Sequence, residues 1–589
     1  MRFLGRNRLY RSAVALLAFS ALAASLSAGE SQQQQLRSAD AAFHAGYAAM
    51  KNGDLAAARK QFEKVVGLAP DIAEGHSALG AVLVQLGQYE AASRELLRAL
   101  AFKPGDRSAQ TNLAIAYEQL GDHEQSLALF QSLERNAGPL PPSVAIFYIR
   151  ALAATHQTGL AVAKTQSAVA AAPENPLLHD TLGSLQAQQQ DWDAAVSQFK
   201  EALRLDPTFG EAHLHLGLAF MMQQRTAEAL PELKTAAELS PRSASTQVEL
   251  GKALLAGGEN AQAISTLERA HTLDPTSIDA KYQLALALQA SGQEQQAIPL
   301  FQEVVAADPR NAPALTNLGL ALVQTGKSKE AIPMYRRALE ETPADPLAHQ
   351  DLGVAYLQES NLDDALSEFH AGLKLAPDAY ELHYDLGLAL KLKDDMAGAA
   401  SELELAARLN PGSPDPPYTL GILNMQRGRF DDAAEQLQTA LRLRPENGDG
   451  WATLGSVYKQ QNKLPEASDA LQKAIELMPN QPGPHITLAG ILAQQGRTAE
   501  AAAQRKQAAD LTRVAANRQR ATFAANTGNT LLLKGQVTDA IDRYQEAVAS
   551  DPTYIEAHKG LATALERAGR TAEAQVEKQK AAQLEPAHP

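Results

Sequence analysis

Cysteine is absent from all 589 residues. That excludes thiol nucleophiles, disulfide frameworks, zinc fingers and iron–sulfur clusters. Aromatic residues make up only 5% of the chain, and tryptophan occurs twice. Runs of β-branched and aromatic residues are scarce, which argues against an all-β chain. Positive charge is also in deficit, with 53 Lys and Arg against 67 acids and a net charge of −14. Phosphate backbones and anionic membrane surfaces repel such a chain, so nucleic acid is not an expected partner. Beyond the N-terminus no apolar run reaches the roughly 20 residues that span a bilayer.

What is present is helix-forming. The chain is 45% apolar, much of it Ala and Leu, too apolar for disorder and rich in the best helix formers. Length alone predicts about four domains. The N-terminus reads as an export signal over residues 1–29. Arg2, Arg6, Arg8 and Arg11 precede an uncharged stretch from Ala13 to Leu26, with small residues for cleavage within about 23–29. An uncleaved anchor and an organellar transit peptide are the alternatives. Export predicts a periplasmic or secreted protein, and without cysteine it is not a lipoprotein.

Internal repetition replaces the domain count. Pro207, Pro241, Pro275, Pro309, Pro343, Pro377, Pro411, Pro445 and Pro479 lie 34 residues apart. Ten residues after a proline comes a small residue (Gly217, Gly251, Ala285, Gly319, Gly353, Gly387, Gly421, Gly455), always preceded by Leu. Twelve residues further stands Ala, and four beyond that a large apolar side chain such as Phe199, Leu233, Phe301, Tyr335, Phe369 or Leu437. Each unit reads as two antiparallel helices. A left-handed Gly such as Gly326 closes the first, and the proline stops the second. Small residues at the crossing let the helices approach, and the bulky ones fill the gaps.

These residues resemble the tetratricopeptide repeat family. The resemblance implies an all-α, right-handed superhelical solenoid of about 16 helix-turn-helix repeats, with first helices lining a concave groove. A Gln-rich linker is expected at 30–37 and a three-unit array at 38–141, ending in the Pro-rich joint Gly138–Pro142. A degenerate unit follows at 142–175, with Ile149 in the glycine register. Ten regular units are expected at 176–515, an insertion joint at 516–520, and C-terminal units at 521–588. Pentatricopeptide repeats fit neither the period nor the charge.

Catalytic, metal and cofactor sites are not expected. His76, His179, His213, His349, His383, His485 and His558 share one repeat register, a packing slot that also holds Trp451, and no HExxH occurs. His213 and His215 point to different helix faces. Thr325-Gly326-Lys327-Ser328 has Ala321 where a phosphate loop requires glycine, and no strand precedes it.

The first helices carry the informative positions. Two residues before the glycine lies a polar row that includes Asn112, His215, Asn317, Asp351, Asp385, Thr419 and Thr453. In the O-linked N-acetylglucosamine transferase branch of the family, Asn at the matching position grips peptide backbone; only Asn112 and Asn317 match. The row reads either as a mixed ladder for an extended chain or as solvated polar residues. Six residues before the glycine, acids recur (Glu74, Asp279, Asp415, Asp449), serving either the helix dipole or a basic partner. Tyr282, Tyr384 and Tyr418, with Leu286, Leu320, Leu388 and Met425, suit peptide or helix recognition; the aliphatics also suit packing on the next repeat. Arg505, Lys506, Arg513, Arg518 and Arg520 form a basic stretch, a solvated face or an anion site.

The expected function is a non-enzymatic scaffold or adaptor of an exported or envelope assembly. It would bind a basic or apolar peptide or protein in its groove. An accessory subunit of polysaccharide or glycan machinery is the alternative.

Overall fold

The computed structural model describes residues 30–585; the expected signal peptide lies outside them. Among the described residues there are 31 helices, from Glu30–Lys51 to Thr571–Leu584, and no strand. First helices are mostly 13 residues long and second helices 14. None of the described helices is long and apolar enough to cross a membrane.

One repeat shows why the sequence folds this way. Asp345 caps the helix Pro346–Gln358 by accepting from the amides of Leu347 and Ala348, and Pro346 occupies the first turn, where a missing N–H costs nothing. The turn passes through Ser360 at φ 60°, and the second helix, Leu362–Leu375, folds back. Gly353 then lies against the buried ring of Phe369. A Cβ on Gly353 would sit 2.5 Å from that ring's Cε1, inside any real contact distance. The same crossing pairs Gly319 with Tyr335, Gly387 with Leu403 and Gly421 with Leu437. The repeat's signature glycine and its bulky residue sixteen positions on are thus one packing unit.

The degenerate repeat obeys the same rule inverted. Ile149 fills the glycine position at 1% exposed, and the position sixteen residues on is Thr165, fully buried, its hydroxyl bonded to the carbonyl of Ala161. Large and small have changed places, and the total volume is kept.

Turn geometry departs from the expected residue types at four places. Gly53, Gly87, Gly121, Gly258, Gly292, Gly326, Gly428 and Gly496, with Asp394 and Asn462, have positive φ as expected. His156, Gln190, Gln224 and Ser360 adopt it too. The hairpin imposes the conformation, and these side chains bear its steric cost.

The helices divide into two compact units, up to Ala307 and from Asp308. The first holds eight hairpins. The second also makes eight, because one helix serves twice: Thr498–Leu533, 36 residues, is the second helix of one repeat and the first of the next. It runs straight through 516–520, where a turn would otherwise fall, and Thr512–Ala516 are exposed on all sides. The Gln-rich stretch 30–37, expected as a linker, instead forms the opening turns of the helix Glu30–Lys51, because glutamine is a good helix former.

Candidate functional site

Successive first helices pack side by side within each unit, and polar side chains cross between them. The residue three before the glycine in one repeat meets the residue two before it in the next. In the first unit, Asp180 lies 2.8 Å from His215 Nδ1. In the second, Gln350 Nε2 donates to Asp385 Oδ2 (2.6 Å), the Tyr384 hydroxyl shares a 3.3 Å bond with Thr419, and Tyr418 bonds Thr453. Part of the polar row is thus tied to the neighbouring first helix, at one place in the first unit and at three successive places in the second. His215 is half-buried against its partner; burial disfavours its charge, but the bond and charge of Asp180 outweigh this and raise its pKa.

Of the expected groove residues, Tyr282 and Leu286 belong to the first unit. Tyr282 is half-buried, edge-on to Phe301 at 6.0 Å, and Leu286 is half-buried. The other eight belong to the second. Leu320 and Leu388 are half-buried, as is Asn317, which donates to the carbonyl of Pro313 (2.9 Å). Tyr418 and Met425 pack on one cluster with Trp451 and Phe430. Asn112 likewise bonds its own helix, at Ser108.

Asp351 and Asp385 stand at the same position on neighbouring first helices, and they are the chemically unusual pair. Burial raises the Asp351 carboxyl to about 6, helped by the charges of Asp345 and Asp385. Burial also raises Asp385 to about 6, opposed by the Gln350 bond and aided by Glu381. Burial also pushes up the phenols of Tyr384 and Tyr418. The result is a half-buried stretch of two carboxyls and two tyrosines on the helices Pro346–Gln358, Tyr380–Leu392 and Asp415–Gln426.

The acidic row at the helix starts is partly paired. Glu74 meets Lys103 (2.9 Å), Asp279 meets Lys252 (2.9 Å) and Asp415 meets Arg444 (3.1 Å). In the basic stretch, Arg513 pairs with Asp510, and Arg518 pairs with Asp551 (2.7 Å) while lying over the Tyr554 ring.

The seven histidines form a clip that residue type alone did not disclose. Each Nδ1 lies 2.5–2.8 Å from a side-chain oxygen nineteen residues on, in the second helix: Glu95, Gln198, Glu232, Glu368, Glu402, Gln504 or Glu577. In six of them Nε2 faces the carbonyl of the proline six residues back, as Trp451 Nε1 does to Pro445. His485 lacks this second bond. His213 and His215 do turn to different helices. The 34-residue register contains the signal, a carboxylate or amide at a fixed offset from each histidine. His383→Ala should lose roughly 1–3 kcal/mol by stranding Glu402 and the Pro377 carbonyl. Hydrogen exchange over Tyr380–Leu392 measures it, and unchanged protection there would rule the clip out. Among the described residues no group of three or more His, Asp or Glu is placed to hold a metal ion.

Tetratricopeptide-repeat models match residues 49–111 and 220–287, 107–132, 181–244 and 528–569. A model of the cilia and flagella-associated protein 70 C-terminal domain matches 277–526. No curated protein matches the sequence. Similar solved structures include MamA (29% identity, 29% of this chain and 92% of that one, TM-score 0.27). Another is YrrB, described as a tetratricopeptide-repeat protein with an unusual peptide-binding site (24%, 30% and 92%, TM-score 0.28). A third is the APC/C hetero-tetramer Cut9-Hcn1 (17%, 91% and 98%, TM-score 0.31). The repeat models matched along the chain and its series of helical hairpins together make it an all-α solenoid of tetratricopeptide repeats.

Proposed function

We propose that the protein is a non-enzymatic scaffold that binds a basic peptide or protein segment along the first helices of its second unit. The observation that carries this is the pair Asp351 and Asp385. A carboxyl held half-buried without a cation is unfavourable, and a Lys or Arg side chain would relieve both. Tyr384 on the same helix as Asp385 and Tyr418 on the next one are aromatic neighbours of the kind that accept a cation and its apolar stem. The export signal expected at residues 1–29 supports a place in an exported or envelope assembly, and N-terminal sequencing of the mature protein tests that.

A fluorescent Lys/Arg-containing peptide array is the direct test of binding. Affinity should rise between pH 5 and pH 7 as the two carboxyls ionise. Tyr384→Ala or Tyr418→Ala should weaken binding about tenfold, consistent with aromatic anchors. Equal binding by the tyrosine variants, or tighter binding by acidic peptides, would overturn the proposal. Retention of a glycan that no peptide displaces would favour the polysaccharide-machinery alternative.

A further inference from the structure

Several repeats of the first unit lack the histidine clip, and in one of them its place is hollow. There the histidine position is Gln247, the position nineteen residues on is Thr266, and the proline six residues back is Pro241. Two side chains that elsewhere meet across the slot are thus exchanged for a pair that does not meet. A cavity of about 300 Å³ opens, lined by Gln247, Thr266, Ser265, Lys234, Arg269 and Glu238 among others. It lies between the second helices Thr226–Leu239 and Asn260–Leu273, with Ala244–Ala256 beneath.

Gln247 is 3% exposed, and its Nε2 finds no acceptor. A buried amide donor without a partner is costly and calls for one. Its surroundings say of what kind. Lys234 and Arg269 bring positive charge to the rim. Arg269 spends one N–H on the carbonyl of Pro241 (3.0 Å) and keeps others. Lys234 is only loosely engaged by Glu259, at 3.6 Å. The single acid of the lining, Glu238, is exposed. A buried N–H donor, a threonine hydroxyl and two cations converge on a space large enough for a carboxylate with a short stem.

We infer that this cavity is a carboxylate-binding site for the terminal or side-chain carboxylate of a partner segment. It is separate from the acidic first-helix stretch of the second unit and does not depend on that proposal. Repeats that keep the histidine and its glutamate cannot offer it, because the slot is filled and negatively charged.

The full chain would be titrated at low salt, by ligand-observed NMR, with N-acetylglycine and its neutral isostere N-acetylglycinamide. The blocked peptide acetyl-Ala-Glu-Ala-amide forms a third arm. The acid should bind and the amide should not. Binding of the blocked peptide would assign side-chain carboxylates, and its failure terminal ones. Gln247→Leu keeps the volume and removes the donor; Thr266→Glu and Arg269→Gln alter exposed or half-exposed positions that tolerate change. Each should weaken N-acetylglycine at least tenfold with an unchanged circular dichroism spectrum. The proposal is overturned if acid and amide bind alike, if neither carboxylate probe binds, or if Thr266→Glu and Arg269→Gln leave the affinity unaltered.

Discussion

At pH 7.5, Asp351→Asn and Asp385→Asn should each melt later than the parent protein. Both carboxyls are raised from the usual 3.8 to about 6 in the folded chain. Between those values the folded state holds protons that the unfolded state has released. Stability therefore falls as pH rises through that window and stays lower above it. A shift of this size corresponds to roughly 1–3 kcal/mol per site once partial solvation is allowed for. The two effects will not add, because the charge of Asp385 helps raise Asp351. At pH 4 the asparagine variants should lose their advantage. Thermal melts from pH 4 to 8 decide the matter: variants that melt earlier at pH 7.5, or whose advantage is the same at both ends, would show that the carboxyls are not held as described. The same substitutions should weaken a basic peptide, so that stability and binding move in opposite directions.

Phe369→Ala should have the larger effect on the fold. The ring is fully buried against Gly353, and emptying such a site typically costs about 3–5 kcal/mol. Phe369→Leu should cost less than about 1.5 kcal/mol, because leucine fills the same position against Gly387 and Gly421. In an array held by nearest-neighbour contacts the loss is local first. Hydrogen exchange should show Pro346–Gln358 and Leu362–Leu375 opening well before the helices four repeats away. Uniform loss of protection across the unit, or equal costs for Ala and Leu, would contradict this packing scheme.

Most of the fold was legible because the repeat writes each physical requirement many times. One glycine beside one phenylalanine suggests little, whereas the same offset in successive units identifies a helix crossing. Ser360 and Gln224 escaped the turn assignment because residue type is a weak guide to φ once a hairpin closes around it. The swap of Ile149 with Thr165 was half visible: the missing glycine was plain, but its compensation lay at a register not compared with it. The candidate site was legible as residue types and not as relationships. Asp385 appeared as a polar residue on a first helix; its bond from Gln350 and its burial beside Asp351 depend on how neighbouring helices lie together. Gln247 and Thr266 were the reverse case. Each looks ordinary alone, and it is the space left between them beside Pro241 that marks the cavity.

The long helix Thr498–Leu533 changes how a disturbance passes along the second unit. Elsewhere, adjoining repeats are coupled by buried side chains, so their coupling carries the heat-capacity signature of apolar burial. Across Thr512–Ala516, with every side chain exposed, the covalent link is a bare hydrogen-bonded rod. Such a link transmits twist and bending faithfully while contributing little to shared melting. The repeats on its far side are steered by their neighbours more than they are stabilised by them.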